Sequence, residues 1–158
     1  AGVLDLDRLR HAVVGVAAHQ VSRGLPRTGM QWEVQPDGLR RILVQIHEHH
    51  TGPAGIPLVI TENGAAYPDV VGPDGSVHDP ERTAYILDHL RAVAQAREEG
   101  ADVRGYFAWS LMDNFEWSHG YTKRFGLCYV NFGTQERIPK RSAKWYARVI
   151  ADNGLPQE

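Results

Sequence analysis

Between Pro36 and His49 the apolar residues Leu39, Ile42, Leu43 and Ile46 recur at helical spacing, and the pattern predicts a helix with one apolar face over 36–49. Pro36 and Asp37 suit its first turn. The rhythm then changes. Ile56 to Thr61 is a short β-branched run bounded by Gly55 and Gly64, which predicts a buried strand with Glu62 at its end. Gly72-Pro73-Asp74-Gly75 forms a turn cluster, and Asp79-Pro80 places an N-cap acceptor before a proline at the first helical position. A helix is therefore expected from 80 to about 99, with Ile86, Leu90, Val93 and Ala94 at helical period and Gly100 at its stop. Val103 to Leu111 predicts a second buried strand, followed by a polar and aromatic stretch from Ser110 to Trp117. A last helix, about 140 to 152, begins after Pro139 and is closed by Asn153-Gly154 and Pro156. In the first thirty residues, Leu6, Leu9, Val13 and Val16 suggest a surface helix.

Helix, strand, helix, strand, helix, with crossovers too long for hairpins, implies an α/β protein whose parallel strands are covered by helices and buried on both faces. Two strands cannot meet that requirement by themselves, because both edges stay unpaired. A barrel of eight β/α units needs at least roughly 200 residues, and the chain has 158. The expected architecture is the C-terminal part of a (β/α)8 TIM barrel, its last strands and helices, and not a complete barrel. Chemistry in that architecture sits at the C-terminal ends of the strands.

Composition narrows the partners. The chain is 42% hydrophobic and 23% charged, as globular domains are, and its net charge of -2 offers no basic field for phosphates or anionic lipid. No nucleic acid and no membrane partner is expected. The longest apolar run, Ala12 to Ala18, is far short of the roughly 20 residues that span a bilayer. A single cysteine, Cys128, excludes an intramolecular disulfide and fits a reducing, cytoplasmic compartment; beside the last strand it reads as a small apolar filler. His47 and His50 lack the His-Glu-x-x-His spacing and the Asp74-Gly75 loop lacks that of a calcium loop, so no metal and no cofactor is expected.

Two strand ends carry candidate chemistry. Glu62 lies in Ile60-Thr61-Glu62-Asn63-Gly64, beside an Asn-Gly pair suited to a tight turn; a carboxylate there can act on a ligand or merely cap the rim. The second end, Trp109 to Trp117, interleaves aromatics with Asp113, Asn114 and Glu116. Aromatic faces with carboxylates suit a sugar, which stacks its C–H face on a ring and donates its hydroxyls to carboxylate oxygens. An aromatic core plug with its polar residues tied to loop backbone is the alternative.

These two segments, followed by Gly120-Tyr121-Thr122-Lys123-Arg124-Phe125-Gly126-Leu127, resemble in order and spacing the signatures of the retaining β-glucosidases of glycoside hydrolase family 1. Lys140 to Tyr146 and Asn153-Gly154-Leu155-Pro156 are also similar to the end of such enzymes. The resemblance starts near Gly29, which divides the chain into a variable connecting segment, 1–28, and a C-terminal barrel portion, 29–158. It implies that Glu62 is the nucleophile, Trp109 the platform under the sugar ring, Glu116 the acceptor for the 4- and 6-hydroxyls, Trp117 a donor to a nearby hydroxyl, and Phe125 a wall of the subsite. It implies as partners a β-glucoside or oligosaccharide and an N-terminal barrel portion, because the family's acid/base glutamate lies in an Asn-Glu-Pro segment and this chain has no Asn-Glu dipeptide. The chain alone is therefore expected to be inactive. Two other readings compete: a non-catalytic sugar-binding or complementing fragment, and an inverting hydrolase using Asp113 or Glu116 as second carboxyl. His119 is placed near the aglycone entrance. Gln31 and Asn131 stand where the family more often has Gly and Asp.

Overall fold

In the computed structural model, which describes residues 22–156, the Leu39/Leu43 stripe forms helix α1, Pro36–Ile46, continued by a π-helical turn, His47–Thr51. The helix suggested by Leu6 to Val16 lies outside the described residues. Strand β1, Leu58–Asn63, begins two residues later than the apolar run predicts. The Ile56 N–H is engaged by the Thr51 carbonyl at 2.9 Å and Pro57 has no N–H, so the first ladder bond comes from Leu58, to the Asp102 carbonyl at 2.8 Å. The shift puts Glu62 inside the strand end.

Helix α2, Pro80–Glu98, leads to β2, Val103–Ala108, which pairs with β1 in parallel. The expected continuation of β2 to Leu111 does not form. Ser110 turns to a different partner, donating to the Phe125 carbonyl at 3.2 Å and accepting from Leu127 N–H at 2.7 Å. Leu127 leads into an antiparallel pair that the pattern does not predict, β3, Cys128–Val130, with β4, Arg137–Pro139. Strands of three residues are too short to show a period. Cys128 opens β3, half-buried. Helix α3, Arg141–Asp152, stops at Asn153, whose left-handed backbone (φ 46°) lets Gly154 N–H reach the Val149 carbonyl.

Leu43, Ile60, Val93, Ala96, Ala101 and Val103 form the core between the sheet and α1 and α2, with Leu58 and Tyr106 packed against it. Strand alternation sends Leu58 and Ile60 to that side and Val59 and Thr61 to the other. As expected of two strands alone, burial on both faces is not reached: Val59 is 48% and Phe107 61% exposed, because no second layer covers the inner face among the described residues, and no barrel closes there.

A buried ionic network ties the loops above the sheet together. Lys140, with no exposed surface, donates to Asp69 at 2.6 Å and Asp113 at 2.9 Å. Arg82 makes a two-pronged contact with Asp69 (2.7 and 2.8 Å) and reaches Asp79 at 2.6 Å. Arg124 binds Asp113 at 2.6 Å, and Asp79 accepts from the Ser142 N–H and hydroxyl. Burial opposes the charge on Arg82, but Asp69 and Asp79 outweigh it, and its pKa stands above the ordinary guanidinium value. Removing one member leaves buried charge without its partner. Asp113→Ala is expected to cost roughly 3–5 kcal/mol in urea unfolding, well beyond the effect of Asp74→Ala in its exposed turn.

Candidate active site

The ends of β1 and β2 meet more closely than side chains allow. Asn63 carbonyl accepts the Trp109 N–H at 2.8 Å, and a Cβ on Gly64 would lie 1.8 Å from the Trp109 carbonyl oxygen. Gly64 therefore serves the approach of two backbones rather than a tight turn. The Trp109–Ser110 peptide bond is cis. The Ser110 hydroxyl donates to the Met112 carbonyl at 2.9 Å and receives the Asn114 amide at 3.1 Å, which folds the chain after β2 back over the strand ends.

That fold-back carries the second half of the site. Asp113 accepts the Gly126 N–H at 2.9 Å, and Gly126 is as constrained as Gly64, since its Cβ would lie 2.2 Å from the Asp113 nitrogen. Glu116 donates its N–H to the Gly120 carbonyl at 2.7 Å, and the 3-10 turn Trp117–His119 leaves the Trp117 side chain 83% exposed. Lys123 Nζ donates to the Gly29 carbonyl at 2.7 Å. This contact draws the 28–32 loop in, so that Trp32 lies tilted against buried Phe125, with ring centroids 6.1 Å apart. In the same loop Gln31 adopts φ 65°. The left-handed region favours glycine, the residue that the family resemblance leads one to expect there.

The result is a cleft of about 380 Å³ lined by Trp32, Glu62, Asn63, Gly64, Tyr85, Trp109, Glu116, Trp117 and Phe125. All five residues singled out from the sequence line it. Asp113 does not. Its side chain is fully buried against Lys140 and Arg124, so an inverting reaction with Asp113 as second carboxyl is ruled out: water and sugar cannot reach it. His119 is also absent from the lining; its carbonyl receives the Thr122 hydroxyl at 2.6 Å and holds the turn. Trp32, Asn63 and Tyr85 are the lining residues that sequence reasoning missed. Tyr85 comes from the second turn of α2, where only its i,i+4 pairing with His89 marks it.

Charge in the cleft is one-sided. Among the described residues the lining holds two carboxylates and no cation, an arrangement suited to a neutral ligand rich in hydroxyl donors and apolar C–H faces. Among the described residues no cluster of His, Cys, Asp or Glu could hold a metal, and no helix is long and apolar enough to cross a membrane.

The glycosyl hydrolase family 1 model matches residues 8–155. The chain belongs to that family. It is 55% identical over 132 residues to a bifunctional β-D-glucosidase/β-D-fucosidase of Bifidobacterium breve, which covers 81% of this chain and 28% of that protein. A 6-phospho-β-galactosidase of Leptotrichia buccalis is 43% identical over 140 residues, 89% of this chain and 29% of the relative. A solved structure of the Thermotoga maritima β-glucosidase with noeuromycin superposes with a TM-score of 0.82 at 48% identity, covering 86% of this chain and 30% of the other. This family 1 chain thus spans less than a third of the relatives it matches, and its α/β units are part of a TIM barrel.

Gly64→Ala tests the contact on which the family 1 cleft rests. A methyl group aimed at the Trp109 carbonyl is expected to cost about 1–3 kcal/mol, read from the thermal midpoint, together with a shift of the tryptophan emission.

Proposed function

We propose that this chain is the nucleophile-bearing part of a retaining β-glucosidase. The observation that carries the reading is the meeting of Glu62, from the end of β1, with Trp109, Glu116, Trp117 and Phe125 in one cleft. Glu62 attacks the anomeric carbon as the glycosidic oxygen departs with a proton from the acid/base carboxyl, and a glycosyl ester forms on Glu62. Water, deprotonated by the same group, then cleaves that ester with net retention. The carboxylate also stabilises the oxocarbenium-like charge before the bond forms. Trp109 carries the ring, Phe125 walls it, Trp117 donates to a hydroxyl and Glu116 receives the 4- and 6-hydroxyls, holding the sugar in line.

The acid/base carboxyl is assigned to an N-terminal barrel portion that packs against the open inner face of β1 and β2. A reducing, cytoplasmic setting belongs to the same proposal, supported by the lone cysteine. Among relatives that include a 6-phospho-β-galactosidase, the cleft favours an unphosphorylated glycone. A phosphate on the 6-oxygen would bring negative charge against the Glu116 carboxylate with no lining cation to offset it.

The test is reconstitution. Mixed with the complementary N-terminal portion of the Thermotoga maritima β-glucosidase, the chain is expected to hydrolyse an aryl β-glucoside, while alone it does not. In that assembly Glu62→Gln should lower kcat by about a thousandfold or more; near-parent turnover by the variant ends the nucleophile assignment. The same assembly should prefer the aryl β-glucoside to its 6-phosphate by at least about tenfold in kcat/KM. Equal use of both would remove the role given to Glu116.

A further inference from the structure

Glu62 lies where the sheet is irregular. Ile60 pairs with Tyr106 and Asn63 with Ala108, so three steps along β1 face two along β2, and the regular ladder does not fix the direction of the Thr61-Glu62 backbone. Something else must hold it, and the next residue does. The Asn63 Oδ1 accepts the Tyr106 hydroxyl at 2.7 Å, and its carbonyl accepts the Trp109 N–H at 2.8 Å.

Tyr106 is rigid for reasons of its own. It packs on the core and edge-on against Tyr146, whose hydroxyl donates to the Tyr106 carbonyl at 3.2 Å. Burial raises the Tyr106 hydroxyl pKa far above the usual phenol range, which favours the protonated, donating form.

We infer that Asn63 and Tyr106 form a positioning clamp that fixes the backbone of Glu62 against that of Trp109, so that the nucleophile and the sugar platform keep one separation. Both are positioning residues, acting through Glu62. The consequence for rate rests on the β-glucosidase reading; the mechanical claim does not. Because the reacting atoms must lie within a few tenths of an ångström of their attack geometry, loss of the clamp shows in the chemical step before it shows in sugar binding.

Tyr106→Phe removes the hydrogen bond and keeps the ring, and Asn63→Ala removes its acceptor. In the 158-residue chain, the Trp109 amide should exchange with deuterium at least roughly tenfold faster in each variant while Ile60 is unchanged. In the reconstituted assembly, kcat should fall about 10- to 100-fold with KM within about twofold of the parent. Unchanged Trp109 exchange in both variants overturns the clamp, as does equal acceleration at Ile60, which marks general loosening. Faster Trp109 exchange with parent-like kcat overturns the positioning role. If the parent assembly hydrolyses no β-glucoside, or Glu62→Gln keeps its turnover, the β-glucosidase reading fails instead, and the exchange result still decides the clamp.

Discussion

A lysine ammonium with no exposed surface sits between two buried aspartates, Lys140 against Asp69 and Asp113, and the upper half of the structure is arranged around it. An isolated charge in that position would be costly to bury. The two carboxylates approach the Lys140 nitrogen within 2.9 Å and are themselves bound by Arg82 and Arg124. The three acids and three cations balance, so the cluster is neutral as a whole while each member depends on the rest. Such a cluster fixes which segments meet more than it adds net stability. It joins the loop after β1, the start of α2, the fold-back after β2 and the start of α3.

The consequence reaches the cleft through the backbone. Asp113 holds Gly126 N–H and the Arg124 guanidinium, and the Arg124 carbonyl in turn accepts from Arg82 at 2.8 Å and from Tyr67 N–H at 3.3 Å. Glu116, Trp117 and Phe125 all lie on the loop whose two feet are pinned this way. An exposed tryptophan such as Trp117 has few contacts to keep it in place, so its position derives from its backbone. The charges that build the site are therefore different from the charges that face it, and Asp113 and Glu116, three residues apart, do opposite jobs.

Sequence made the second kind of charge legible and concealed the first. Glu62 and the Trp109–Trp117 segment stand out because strand ends bring a whole motif to one place, and contiguous residues can be read together. Helices α1, α2 and α3 were legible from the period of their apolar faces and their proline starts. Ion pairs between Lys140 and Asp69, 71 residues apart, have no local signature. Nor does the entry of Tyr85 into the cleft, which depends on how α2 packs against the rest of the fold. The errors in strand limits have one cause: apolar runs mark where residues are buried, whereas ladders end where backbone partners change, at Pro57 and at Ser110. The β3–β4 pair falls below the length at which any period can be seen.

The two strands of the main sheet divide their duties by direction. Toward α1 and α2 they present Leu58, Ile60 and Val103 to a dry core; toward the other side they present Val59 and Phe107, apolar yet exposed. Exposed β-branched and aromatic residues on the inner side of parallel strands are what a barrel interior requires, since layers of such side chains fill it from strands all around. The strand tips then face neither core nor interior, and only there can a carboxylate stay solvated. That division makes the separation of the tips the geometric quantity that matters, and here it is set by backbone: Gly64 gives way to the Trp109 carbonyl, and Asn63 accepts the Trp109 N–H. A side chain at position 64 would push apart the two strands whose ends must both reach the cleft, so the smallest residue in the motif governs the distance across which the largest one works.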